Sequence, residues 1–203
     1  MTVELYLVFV VASALLIATP GPNVALIVGT SLRYGARSGL TTVAGVNFGL
    51  VLQLAAVAAG LAWIVELFAR HFDLIRYAGA AYLAILGLQQ LLARAKPDAG
   101  EPVPLRHDRA FMRGLAVAFA NPKTLIFHAA FLPQFLAGGD NGAQLWLLAA
   151  TYAVIAGIGD TIYAIFAARA RAAVSGRAQR IADKASGAVL LGGAAVLLAA
   201  GRR

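Results

Sequence analysis

The residues of this chain that could do chemistry interrupt sequence that is otherwise apolar. The first group is Ala18-Thr19-Pro20-Gly21-Pro22-Asn23. Its two prolines delete two backbone donors and clash with the carbonyls four residues back, while Gly21 loosens the turn between them. A helix entering this segment must kink or unwind, and the carbonyls it releases need new partners. The second group, Ala120-Asn121-Pro122-Lys123-Thr124, puts a lysine on a proline break about nine residues inside its apolar segment. That depth is about 13 Å at the helical rise, more than the side chain comfortably spans to reach a surface. An ammonium group at that depth costs at least about 2.5–3.5 kcal/mol, so it should face a partner or an aqueous cavity. The third group is Gly157-Ile158-Gly159-Asp160, which holds the acid that lies deep in an apolar run. Lys123 and Asp160 fall at equal depth, and pairing them would lower the cost of burying either charge.

Two further segments are ambiguous on their own. In Gly45-Val46-Asn47-Phe48-Gly49 the glycine spacing reads as helix packing, and Asn47 is either interhelical glue or a substrate contact. His128 reads as a hydrogen-bonded helix contact rather than a ligand. The depths are more informative. Asn23, Asn47, Asn121, Lys123 and Asp160 come from four helices and all fall about eight to ten residues from one membrane face. A polar layer at mid-depth between broken helices is what a secondary transporter requires. The candidate substrate-binding and translocation residues are therefore Pro20, Gly21, Pro22, Asn23, Asn47, Asn121, Pro122, Lys123 and Asp160. No catalytic residue, metal ligand or cofactor is expected.

The elements that must position these residues follow from composition. Of 203 residues, 61% are apolar and 13% charged, against roughly 45–50% and about 25% in soluble domains. Runs 5–32, 40–65, 74–92 and 145–168 contain no charged residue except Arg76 and Asp160. Each is long enough to span a bilayer, and backbone hydrogen bonding in lipid forces a helix. The sequence predicts an all-α polytopic membrane protein with six transmembrane helices near 4–32, 39–65, 73–94, 113–137, 143–169 and 181–201. The last is the weakest, because Asp183 and Lys184 shorten its apolar run. The first run begins without Lys or Arg and is too long for a removable signal peptide, so it is expected to remain as a span.

Loops after the odd-numbered helices hold twelve Lys and Arg, while the opposite side holds four. Short basic loops stay in the cytoplasm, which predicts both termini outside. The segment Arg94–Arg113 contains Pro97, Pro102 and Pro104 and divides a single transporter domain, 1–203. A first three-helix half (1–94) and a cytoplasmic loop (95–113) precede a second half (114–203). An odd number of helices per half makes the arrangement compatible with 3+3 inverted halves, in topology rather than in sequence.

Several functions are excluded or disfavoured. There is no cysteine, hence no disulfide framework or thiolate chemistry. The net charge of +8 lies between apolar spans, where it meets lipid head groups rather than nucleic acid. The G-x-G-D string matches intramembrane aspartyl proteases, but that chemistry needs a second deep aspartate, and Asp73 sits at a helix end. No H-E-x-x-H motif or phosphate-binding glycine loop is present.

At these residues the chain resembles the LysE/RhtB family of amino-acid exporters. The resemblance rests on Pro20-Gly21-Pro22-Asn23, on Gly79-Ala80-Ala81-Tyr82-Leu83 with Gly87, and on Asn121-Pro122-Lys123 followed by Phe131-Leu132-Pro133-Gln134-Phe135. It covers essentially the whole chain. It implies secondary active export of amino acids or close derivatives from the bacterial cytoplasm, driven by the ion or proton gradient without nucleotide hydrolysis. The implied setting is the bacterial plasma membrane, and the implied partners are a small-molecule amino-acid substrate, a coupling ion and the lipid bilayer. Assembly as a homo-oligomer is compatible with it. The family motif carries Asn or Asp after P-G-P, so Asn23 removes any carboxylate-dependent role there. The alternative reading is transport of a metal cation or other small solute, which two Met, three His and one deep acid disfavour.

Overall fold

In the computed structural model, residues 1–58, 72–92, 105–126, 128, 132–136, 142–171 and 176–199 are described. Every regular element among them is helical. Helix α1 (Val3–Ala18) starts at Thr2, whose hydroxyl accepts from the Leu5 amide at 3.3 Å, with Glu4 in its first turn. Both features suit the exposed amides and positive dipole end of a helix start. α1 stops because Thr19 precedes Pro20 and is extended (φ −78°, ψ 118°), the conformation that a following proline ring enforces. Helix α2 (Pro22–Ala58) restarts on the second proline. A proline in the first turn lacks only an amide that has no helical partner anyway.

α2 is two limbs, 22–34 and 36–58, joined at Gly35, whose φ of 84° and ψ of 176° lie where a Cβ is strained. That corner lets one continuous assignment contain two expected helices, the end of the first and the start of the second. The other helices are α3 (Phe72–Leu91), α4 (His107–Ala120), α5 (Pro122–Ile126), α6 (Gly142–Ala170) and α7 (Gly176–Ala199), with a 3₁₀ turn at Leu132–Phe135. The expected fourth helix, 113–137, is thus divided. Asn121 is extended (φ −79°, ψ 108°) ahead of Pro122, repeating the logic of Thr19 and Pro20. The C-terminal end of the expected second helix and most of the 95–113 loop lie outside the described residues. The last helix is longer than its apolar run suggested, and its Arg180–Ala199 stretch has the length and hydropathy of a span, as do α2 and α6.

α2 packs on α4 and α6, α3 packs on α7, and α1 lies along α6. Small residues allow the closest approaches. A Cβ on Gly114 would fall 2.3 Å from the Thr42 carbonyl oxygen, and one on Gly45 would fall 2.0 Å from that of Phe111. Gly87 and Gly187 face each other in the same way, each about 3 Å or less from the other's carbonyl. Such contacts let backbones meet where lipid supplies no hydrophobic drive between helices. Two apolar clusters result, one around Ile27, Leu50, Leu148 and Tyr152, the other around Leu26, Leu83, Val117 and Leu190. The first limb of α2 separates them, with Ile27 in one and Leu26 in the other. Meanwhile Leu7, Val11 and Leu15 on α1 and Val154, Ile158 and Phe166 on α6 are each more than half exposed, an apolar coat suited to lipid.

A candidate translocation site at two proline breaks

Three prolines each remove the helical donor of the carbonyl four residues back, and a side chain from another helix reaches each of those carbonyls. Pro20 frees the Leu16 carbonyl, which accepts from the Lys123 ammonium together with the neighbouring Thr19 carbonyl. Pro22 frees the Ala18 carbonyl, which accepts from the Tyr163 hydroxyl at 2.7 Å. Pro122 frees the Ala118 carbonyl, which accepts from the Gln53 amide at 3.1 Å. The Leu16 and Ala118 carbonyls also accept from the Thr19 amide at 3.2 Å and the Asn121 amide at 3.4 Å, so these side chains add to the local turn bonds at each break. They also tie α1 to α5 and α6, and α2 to α4.

Lys123 is placed by its own helix start. Asn121 caps the short α5 by accepting from the Lys123 amide at 3.0 Å, which turns the lysine stem toward the α1 break. The stem then runs over Gly21, where a Cβ would lie 3.2 Å from the lysine Cδ. Gly159, next to Asp160, plays the matching part on α6, since a Cβ there would meet Ile17 Cγ2 at 2.5 Å. Of the two glycines in the Gly157-Ile158-Gly159-Asp160 string, Gly159 admits α1 close to α6, while Gly157 faces Asn47 of α2.

Gly21, Asn23, Asn121, Lys123 and Asp160 line one cavity with Thr124 and Tyr152, and it encloses about 20 Å³. That is room for a single water. Asp160 is 3% exposed and makes no hydrogen bond or ion pair among the described residues. The expected direct pair with Lys123 is not formed. The two charges share the cavity, but the ammonium sits on the Leu16 and Thr19 carbonyls, the acceptors that Pro20 and the helix end leave exposed beside it. Asn23 Oδ1 is likewise buried without a hydrogen-bond partner among the described residues.

Pro20, Pro22 and Pro122 shape the site without lining the cavity, and Pro22 packs against Gly193 of α7. Asn47 is elsewhere. Its amide returns to the Val43 carbonyl of its own helix at 3.2 Å, and it faces an open apolar groove between α2 and α6 beside Gly157 and Ile158. His128 is buried, its ring edge-on to Tyr152 with centroids 5.5 Å apart. Sequence reasoning did not single out Tyr163, Gln53 or Tyr152. A signal existed for the tyrosines: Tyr152, Ala156, Asp160, Ala164 and Ala167 form the buried stripe of α6, and Tyr163 is one turn from Asp160.

The profile of the LysE type translocator family matches residues 14–201. A homoserine/homoserine lactone efflux protein of Salmonella typhimurium strain LT2 is 32% identical over 194 residues, covering 94% of each chain. A leucine efflux protein of Klebsiella pneumoniae is 30% identical over 154 residues, covering 74% of this chain and 73% of that protein. A leucine efflux protein of Salmonella choleraesuis is 27% identical over the same length. No solved structure matches the chain. Two broken helices meeting at a half-buried lysine, an apolar outer coat and a family match across nearly the full length lead to one conclusion: the chain belongs to the LysE type translocator family, a multi-pass membrane transport protein rather than an enzyme.

Proposed function

We propose that this protein is a secondary active exporter of amino acids or close derivatives from the bacterial cytoplasm, driven by an ion or proton gradient. The observation that carries the reading is the Lys123 ammonium seated on the Leu16 and Thr19 carbonyls. That seat is an ammonium-binding site already occupied by the protein's own side chain. The cavity holds only about 20 Å³, too little for an amino acid, so one enters only when α1 swings away from α6 and Lys123 lets go. A zwitterion then meets both halves of the broken contact. Its ammonium takes the carbonyl seat, and its carboxylate faces the released Lys123. This donor set, an ammonium, two asparagine amides and backbone carbonyls, suits a zwitterion better than a bare divalent cation.

Asp160 is the group we assign to ion coupling. A buried carboxylate with no direct partner among the described residues changes its charge with its occupancy by a proton, and deep acids of this kind form proton relays in transporters. Each half of the chain contributes one broken helix to the cavity, which supports the inverted-halves reading. Cation placement supports cytoplasmic odd-numbered loops and outward termini.

The test loads cells that lack their own exporters with leucine- and homoserine-containing dipeptides. Expression of this protein should lower the internal free amino acid and raise the external pool, and a protonophore should abolish the difference. Equal internal accumulation with and without the protein, across a panel of amino acids, would overturn the reading.

A further inference from the structure

A second cavity, about 210 Å³, opens beside the first limb of α2 on the face that the cation bias assigns to the cytoplasm. It is unrelated to the proline breaks and is walled by α2, α3, α4 and α7. Arg33 and Arg113 contribute two half-buried guanidinium groups to it, and neither has an ion-pair or hydrogen-bond partner among the described residues. Asp183 contributes a carboxylate that is 3% exposed and also lacks a direct partner there. Gln90 presses its amide over Gly29, where a Cβ would lie 3.1 Å from it, and its Oε1 is buried without a hydrogen bond. Leu26 and Leu86 give the cavity an apolar floor.

Buried polar groups are ordinarily satisfied, and buried charges are ordinarily paired. Here a carboxylate, an amide oxygen and two guanidinium groups converge on one space without a direct hydrogen bond or ion pair among the described residues, Arg33 acting on Asp183 across the cavity and lying over the Tyr34 ring. We propose that this cavity is an entry subsite for a free zwitterionic amino acid. The substrate carboxylate bridges Arg33 and Arg113, its ammonium is held by Asp183 and Gln90 Oε1, and its side chain lies on Leu26 and Leu86. A planar guanidinium is suited to a carboxylate, and a pair of them fixes its orientation. An anionic lipid phosphate would satisfy the arginines but would be repelled by Asp183, so the free amino acid is the better fit. The subsite rests on the export reading and adds to it a place where substrate waits, on the cytoplasmic side, while the Lys123 cavity is closed.

The experiment measures concentration-dependent transport of radiolabelled leucine and homoserine into inside-out vesicles, with binding to the purified full chain in phosphatidylcholine nanodiscs. Arg33→Gln with Arg113→Gln should raise the transport KM at least tenfold with little change in maximal rate, and should lose binding in step. Asp183→Asn should weaken leucine binding while sparing N-acetyl-leucine, which has no ammonium to hold. Protein level and gel-filtration profile establish that each variant is folded, and Gln90→Leu, which removes a polar atom without removing a charge, gives a milder version of the Asp183 effect. Wild-type KM and binding in folded Arg and Asp variants, while the wild type transports, overturn the subsite alone. Leucine binding that is lost when phosphatidylethanolamine or an anionic lipid replaces part of the phosphatidylcholine assigns the cavity to a head group and overturns it too. Absence of transport of any amino acid by the wild type instead removes the export reading.

Discussion

The cavity at the proline breaks and the cavity beside Arg33 share a wall, the first limb of α2, yet their polar groups are used in opposite ways. At the breaks, the carbonyls of Leu16, Ala18 and Ala118 are all met by protein side chains, and about 20 Å³ remains. Beside Arg33, the space is about tenfold larger, and its charges face it without partners among the described residues. In the proposed export cycle, self-satisfaction makes the first region a lock that binds substrate only after its own contacts are broken. Unspent charge makes the second a receiving surface. The limb between them connects the two, since one end carries Asn23 and Val24 and the other Arg33 and Tyr34.

If the lock reading is right, the largest effect belongs to Lys123. Lys123→Met takes the ammonium from the Leu16 and Thr19 carbonyls, leaving Leu16 only the Thr19 amide, and removes the cation that shares the cavity with Asp160. Dipeptide-loaded efflux should fall at least about tenfold, which corresponds to about 1.4 kcal/mol. Gly21→Leu comes next. It fills the space over which the lysine stem passes, so efflux should be lost while membrane insertion stays normal. Normal efflux in that variant would reduce the break to a simple kink.

The double change Lys123→Met with Asp160→Asn sharpens the comparison further. It removes both buried charges, so protein level should recover relative to either single variant, as when a buried pair is neutralised together. Efflux should stay absent, because the carbonyl seat has lost its ammonium and the cavity its protonatable group. Full efflux in the double variant would make both charges structural. The smallest effect belongs to Tyr163→Phe, which leaves only the Ala18 carbonyl unmet. The cost is one contact of about 1–3 kcal/mol, so expression and thermal stability should drop modestly and efflux should persist at a reduced rate.

How much of this could be read from sequence depends on how local the cause is. Proline acts on its immediate neighbours, so both breaks were legible as kinks, while the full stops at the extended residues Thr19 and Asn121 came from the structure. Depth along a span was legible too, which is why Asn23, Asn121, Lys123 and Asp160 were grouped before any packing was known. Depth is one coordinate only. Asn47 shares it but faces the α2–α6 groove, because the direction of a side chain around its helix is fixed by which neighbours pack where. The same limit explains the Lys123–Asp160 pairing. Equal depth placed the charges together, but the carbonyls uncovered by Pro20 lay closer to the ammonium than the carboxylate did. Arg33 and Arg113 counted in the sequence as loop cations, and only the close packing of α2, α3, α4 and α7 turns them toward Asp183.

The central claim is that α1 must leave α6 for export to proceed, and a reversible cross-link tests it most directly. The chain has no cysteine, so introduced thiols are the only ones present. A Cβ built on Gly159 lies 3.8 Å from the Ile17 Cβ, matching the mean spacing of a disulfide. Ile17→Cys with Gly159→Cys should therefore oxidise readily, and the same double variant kept reduced is the control, because a Cβ at Gly159 beside an intact Ile17 would meet its Cγ2 at 2.5 Å. Under oxidising conditions, export by the double variant should stop while Ile17→Cys alone continues, and reduction should restore it. Continued export through a fully cross-linked protein would contradict the account, because it would show that substrate passes with α1 held against α6.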